Sequence, residues 1–149
     1  MEPRLELAKK IGADFCINPL KVDIYKELNE WTNGRGITVV IDAVGKEEIL
    51  KKSTKIVCNG GRILIVGVPP RTAEIKTLPI LLKELDIIGS RLANNFLLPI
   101  AILKNKKLIL NKLISHIFPF EEIEKAFSLA MSCDPLLMKV IVTIPFYKS

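Results

Sequence analysis

Three short segments could do chemistry together: DAVG at 42–45, VGVPP at 66–70 and GSR at 89–91. Each follows an apolar, β-branched run, and each exposes backbone through small residues. At the carboxyl edge of a parallel sheet all three would open on one crevice, the place where open α/β sheets bind ligands. Backbone N–H and C=O groups there can hold a flat polar ring. Taken singly, each segment also reads as an ordinary turn that uses glycine for a positive φ. Asp42 adds a single carboxylate at a strand end.

Other chemistry is sparse. His116 is the one histidine, a strand or turn residue with no second ligand near it in sequence. Cys16, Cys58 and Cys133 are far apart and form no metal spacing. No metal site and no catalytic constellation is expected. Glycines 60, 61 and 67 precede and end a strand, whereas a phosphate-binding fingerprint needs them after a strand and opening a helix. The basic run LKNKKL at 103–108 has no aromatic residue interleaved and reads as a solvated face, with an anion or nucleic-acid contact as the alternative.

Composition bounds the class. The 149 residues are 49% apolar and 26% charged, enough to bury one core and too apolar for disorder. Net charge is +6, from 22 Lys and Arg against 16 Asp and Glu, mostly scattered, so a nucleic-acid partner is not expected. An odd number of cysteines and a charged N-terminus suggest reduced thiols in a cytoplasm. The longest apolar stretch, FLLPIAIL at 96–103, is eight residues with an internal proline, and spanning a bilayer takes roughly 20.

The elements that must position the three segments alternate in type. Helical patterns at 4–11, 20–31 and 46–57 separate apolar strands at 13–18, 37–45 and 62–67, with NGG at 59–61 as a turn. The run ITVVIDAVG reads as a parallel strand buried on both faces. A short helix near 78–83 leads to a strand at 85–90. Beyond it come a helix over 95–104, a strand or extended turn at 113–120, a helix over 121–131 with Ile123, Ala126, Phe127 and Ala130 inward, and a last strand at 138–144. This order predicts an α/β fold with a parallel sheet of at least three strands and helices on both faces.

RLELAKKIGADFCINP, VVIDAVG, GGRILIVGVPP, KELDIIGSRLANN and ISHIFPFEEIEKAF…MKVIVTI resemble, in that order, the C-terminal half of medium-chain, zinc-type alcohol dehydrogenases. GSRLANNF is most similar to the polyol and sugar-acid branch, the sorbitol, iditol and gulonate type. The resemblance implies a partial doubly wound, Rossmann-like sheet over 1–95 that lacks its first two strands, and a C-terminal α/β segment over 96–149. It implies NAD or NADP as cofactor. Val66, Gly67 and Val68 would line the nicotinamide pocket through their backbone, Gly89, Ser90 and Arg91 would lie beside it, and Arg4 would lie near the adenosine; Ala43, Val44 and Gly45, at the strand end that opens on the same crevice, would also be cofactor-binding.

The resemblance also implies partners. Zinc and the pyrophosphate loop would belong to a missing N-terminal half, and the 85–89 edge strand would pair with a second copy. The chain is therefore expected to be inactive alone, with a small polyol or alcohol as the substrate of the whole enzyme. The competing expectation is a non-enzymatic, truncated remnant or oligomerising fragment. A zinc-free quinone-reductase type fits GSRLANN less well.

Overall fold

The β-branched runs become parallel strands. The structure, a computed structural model, describes residues 2–70, 72–91, 96–104, 110–132 and 134–145. In chain order, α1 (Glu2–Lys10) and α2 (Ile24–Trp31) precede β1 (Ile37–Asp42), and α3 (Glu47–Ile56) leads to β2 (Val57–Ile65). Then α4 (Leu78–Leu82) leads to β3 (Asp86–Gly89), followed by α5 (Leu97–Lys104), β4 (Ile114–Pro119), α6 (Ile123–Met131) and β5 (Lys139–Thr143). Contacts group the chain into two units, Lys21–Asn94 on one hand and Met1–Leu20 with Asn95–Ser149 on the other.

In the unit Lys21–Asn94 the sheet order is β1-β2-β3, all parallel. The register puts Val40, Ile63 and Ile87 in one row and Ile41, Leu64 and Ile88 in the next. Because successive side chains alternate faces, these rows point opposite ways. The first row packs into the core with Leu50 of α3, Ile80 of α4, Val57 and Leu85. Ile63 is fully buried. The second row lies on the other face, where Ile41 is 62% and Ile88 44% exposed. The expectation that 37–45 is buried on both faces is thus corrected: Val39 and Ile41 are exposed, because the described core covers one side only.

Two further expectations change. Residues 13–18 form no strand. A strand exists through its ladder of hydrogen bonds, and among the described residues none pairs with this segment. Asn59–Gly61 is not a turn between elements but lies within β2. Between the pairs Ile37↔Val57 and Val39↔Arg62, β1 advances two residues and β2 five, so the extra residues form an irregularity in the ladder.

Local chemistry explains the helices. Asp23 caps α2, its carboxylate accepting from the N–H groups of Tyr25 (2.8 Å) and Lys26 (3.4 Å). On α3 the Glu47 carboxylate accepts from Lys51 one turn on and holds that ammonium above its ordinary range. At the far end of α3, Lys83 donates to the carbonyls of Thr54 (3.1 Å), Lys55 (2.9 Å) and Val57 (2.9 Å). Three acceptors use all three donors of an ammonium and offset the negative end of the helix. Lys83→Met should lower the unfolding free energy by about 1–2 kcal/mol in urea titrations, with the m-value unchanged. A loss near zero would show that water serves these carbonyls equally well.

In the other unit, β4 and β5 form a parallel pair joined through α6, whose Ala126 is buried. Ser115 Oγ donates to the Lys139 carbonyl and accepts from the Met138 N–H, locking the pair at one end. Phe127 is 63% exposed and Ala130 is also exposed, against the inward placement expected for both. A two-stranded pair presents too narrow a face to cover the whole apolar stripe of α6. Cys133 and residues 105–108 of the basic run lie outside the described residues.

Candidate functional site

The three strand ends meet at one edge. Asp42, Ile65 and Gly89 are partners across the sheet, so 43–45, 66–70 and 90–91 leave it side by side. The Ser90 N–H donates to the Ile65 carbonyl at 2.9 Å, carrying the ladder one residue beyond β3.

Asp42 joins two of these segments. It is 3% exposed. Its carboxylate Oδ1 accepts from the N–H groups of Val44 (2.9 Å) and Gly45 (3.0 Å). Its own carbonyl accepts from Val66 (2.9 Å) and Gly67 (2.8 Å). One residue thereby holds both loops, and four backbone donors are spent on it. Gly45 and Gly67 let the loops touch: a Cβ on Gly67 would stand 2.3 Å from the Gly45 nitrogen, and one on Gly45 would stand 2.7 Å from the Val68 carbonyl carbon. Gly45 also has a φ of +76°, which only glycine adopts without strain.

What remains free defines what the edge can bind. Among the described residues the Val44 and Val66 carbonyls and the Val68 N–H carry no hydrogen bond. Ala43, Val44, Val66, Val68, Gly89, Ser90 and Arg91 are exposed. Two acceptors and one donor beside apolar valine side chains suit a carboxamide on a flat ring. A nicotinamide therefore fits the residues present.

Arg4 is in the other unit. Its Nη2 donates to the Leu137 carbonyl at 3.0 Å, tying α1 to the approach to β5. His116 lies in β4 with its ring stacked on Phe118 (centroids 6.3 Å apart), and its Nδ1 has no partner among the described residues. Among the described residues no three of His, Cys, Asp and Glu come together as a metal site, and no helix is long and apolar enough to cross a membrane. The sequence marks Asp42 only as a single carboxylate at a strand end; in the fold it is the tie between the two loops. An aspartate followed three residues later by glycine is the signal of such a turn.

Comparison with known proteins gives the family and the fold. The family described as zinc-binding dehydrogenase matches residues 1–103. D-arabitol-phosphate dehydrogenase of Enterococcus avium is 34% identical over 140 residues, which is 92% of this chain and 40% of that protein. The structure of the E. coli CFT073 alcohol dehydrogenase rspB with NADH is 33% identical, with a TM-score of 0.88 over 96% of this chain and 42% of that one. A zinc-binding dehydrogenase of Sinorhizobium meliloti 1021 bound to NADP is 25% identical, with a TM-score of 0.82 over 95% and 42%. The chain thus spans about two fifths of the length of the relatives it matches. Its mixed α/β fold with parallel sheets is a partial Rossmann-like domain. The chain belongs to the zinc-binding dehydrogenase family and corresponds to the C-terminal, nucleotide-binding part of the zinc-type alcohol dehydrogenases.

Proposed function

We propose that this chain is the nucleotide-domain portion of an NAD- or NADP-dependent, zinc-type dehydrogenase that acts on polyols or related secondary alcohols. The observation that carries the reading is the row of strand ends at Asp42, Ile65 and Gly89, with unspent backbone groups on Val44, Val66 and Val68. A bound nicotinamide supplies the hydride acceptor. The residues of this chain bind and orient it. The Val44 and Val66 carbonyls accept from the carboxamide NH2, the Val68 N–H donates to its oxygen, and Gly89, Ser90 and Arg91 border the ring. Zinc and the groups that activate the substrate hydroxyl come from an N-terminal half. The name of the E. avium relative supports a polyol-like substrate. The outer edge of β3, unpaired among the described residues, is offered to a second copy, and the enzyme works in the cytoplasm.

The test is NADH formation from a panel of polyols, by the chain alone and together with a zinc-bearing N-terminal half. Turnover is expected only with both parts. Turnover by the chain alone would overturn the division of labour. Silence in both assays would favour a non-enzymatic remnant or oligomerising fragment, the reading suggested by the exposed sheet face at Val39, Ile41 and Ile88.

A further inference from the structure

At the opposite edge of the same sheet lies a cleft of about 820 Å³, within the range of small-molecule sites. Its walls are the end of α2, the glycine turn before β1, and the junction of α3 with β2. Arg35, Lys55 and Lys83 line it, and no carboxylate does. Lys83 is already committed to three carbonyls, so the negative end of α3 is offset there. Arg35 and Lys55 have no carboxylate partner among the described residues. The Lys55 ammonium stands 5.6 Å from the centre of the Tyr25 ring. Neutral donors complete the lining: the side chains of Asn29, Thr38 and Asn59 carry no hydrogen bond among the described residues.

We propose that this cleft binds a small phosphorylated metabolite, its phosphate held by Arg35 and Lys55 with the Asn29, Thr38 and Asn59 side chains as neutral donors. Two uncompensated cations, one a planar fork and one a point charge, match a phosphate better than a neutral ligand. The site is separate from the strand-end crevice. The pair Ile37↔Val57 lies at this edge and Asp42↔Ile65 at the other, five residues along β1, or roughly 16 Å at the rise of a strand. The inference therefore stands apart from the proposed dehydrogenase role, and either can fail alone.

The test uses the whole chain and inorganic pyrophosphate as the probe, followed by calorimetry at low ionic strength. One saturable equivalent is expected, weakened about tenfold or more by Arg35→Gln with Lys55→Gln. The charge-matched control, Lys26→Gln with Lys125→Gln, removes two cations that already face Glu30 and Glu122 and should change binding less than about twofold. Equal losses in both double variants, or no saturation, would overturn the proposal. Amide shifts of the unsubstituted chain give a readout that needs no variant. Shifts over 34–38 and 55–59 support the cleft, and shifts confined to 43–45 and 66–68 overturn it.

Discussion

Gly67→Ala should lower the unfolding free energy by about 3 kcal/mol, the upper part of the range for overpacking. The new Cβ would sit 2.3 Å from the Gly45 nitrogen, 2.5 Å from the Val44 carbonyl carbon and 2.6 Å from the Val44 nitrogen. All three are backbone atoms, so no side chain can swing away. Nor can either loop retreat cheaply. The Gly67 and Val66 N–H groups are held by the Asp42 carbonyl, and those of Val44 and Gly45 by its carboxylate. Relief therefore means breaking hydrogen bonds at a buried residue. Gly89→Ala is the control at the same edge, because nothing lies within 4 Å of its Cβ position and its φ is not positive. Urea unfolding should separate the two variants clearly. Equal midpoints would show that the contact between the loops is soft.

Asp42→Ala should cost a similar amount, about 3 kcal/mol, by a different route. It removes the acceptor of two backbone N–H groups, and the Gly45 hydrogen bond is buried. Hydrogen bonds to a charged acceptor are worth more than neutral ones, and a buried donor left without a partner loses its solvation as well. Asp42→Asn keeps an oxygen at the Oδ1 position and loses only the charge, so about 1 kcal/mol is expected. Hydrogen exchange at the Val44 and Gly45 amides should accelerate in the alanine variant and much less in the asparagine variant. Equal effects of the two substitutions would show that charge, rather than the acceptor, holds the turn. Combining Asp42→Ala with Gly67→Ala should cost less than the sum, because once the tie is cut the loops can separate to admit the methyl group.

These effects concern residues that the sequence marked unevenly. The glycines stood out because they end β-branched runs. Asp42 stood out only as a carboxylate at a strand end. Its carboxylate partners are two and three residues away, within reach of a local rule, but its carbonyl partners are Val66 and Gly67, more than twenty residues on. That second link follows from the register of β1 with β2, which no window of sequence contains.

Local order was legible wherever the cause was local. The β-branched run at 37–42 and the apolar runs at 62–65 and 86–89 form parallel strands because their side chains suit a pleated surface and the helices between them supply the crossovers. Asp23 starts α2 through hydrogen bonds to residues two and three positions on. Tertiary structure decided what depends on a distant partner. Residues 13–18 have strand composition and no strand, since a ladder needs a neighbour. Val39 and Ile41 have core composition and stand exposed, since burial depends on what covers a face. Asn59–Gly61 has turn composition and lies inside β2, because the register lets the ladder absorb extra residues. Arg4 gives its guanidinium to the carbonyl of Leu137, 133 residues away. Propensity and pattern act over a few residues; pairing, covering and register act between segments, and only the folded chain brings those segments together.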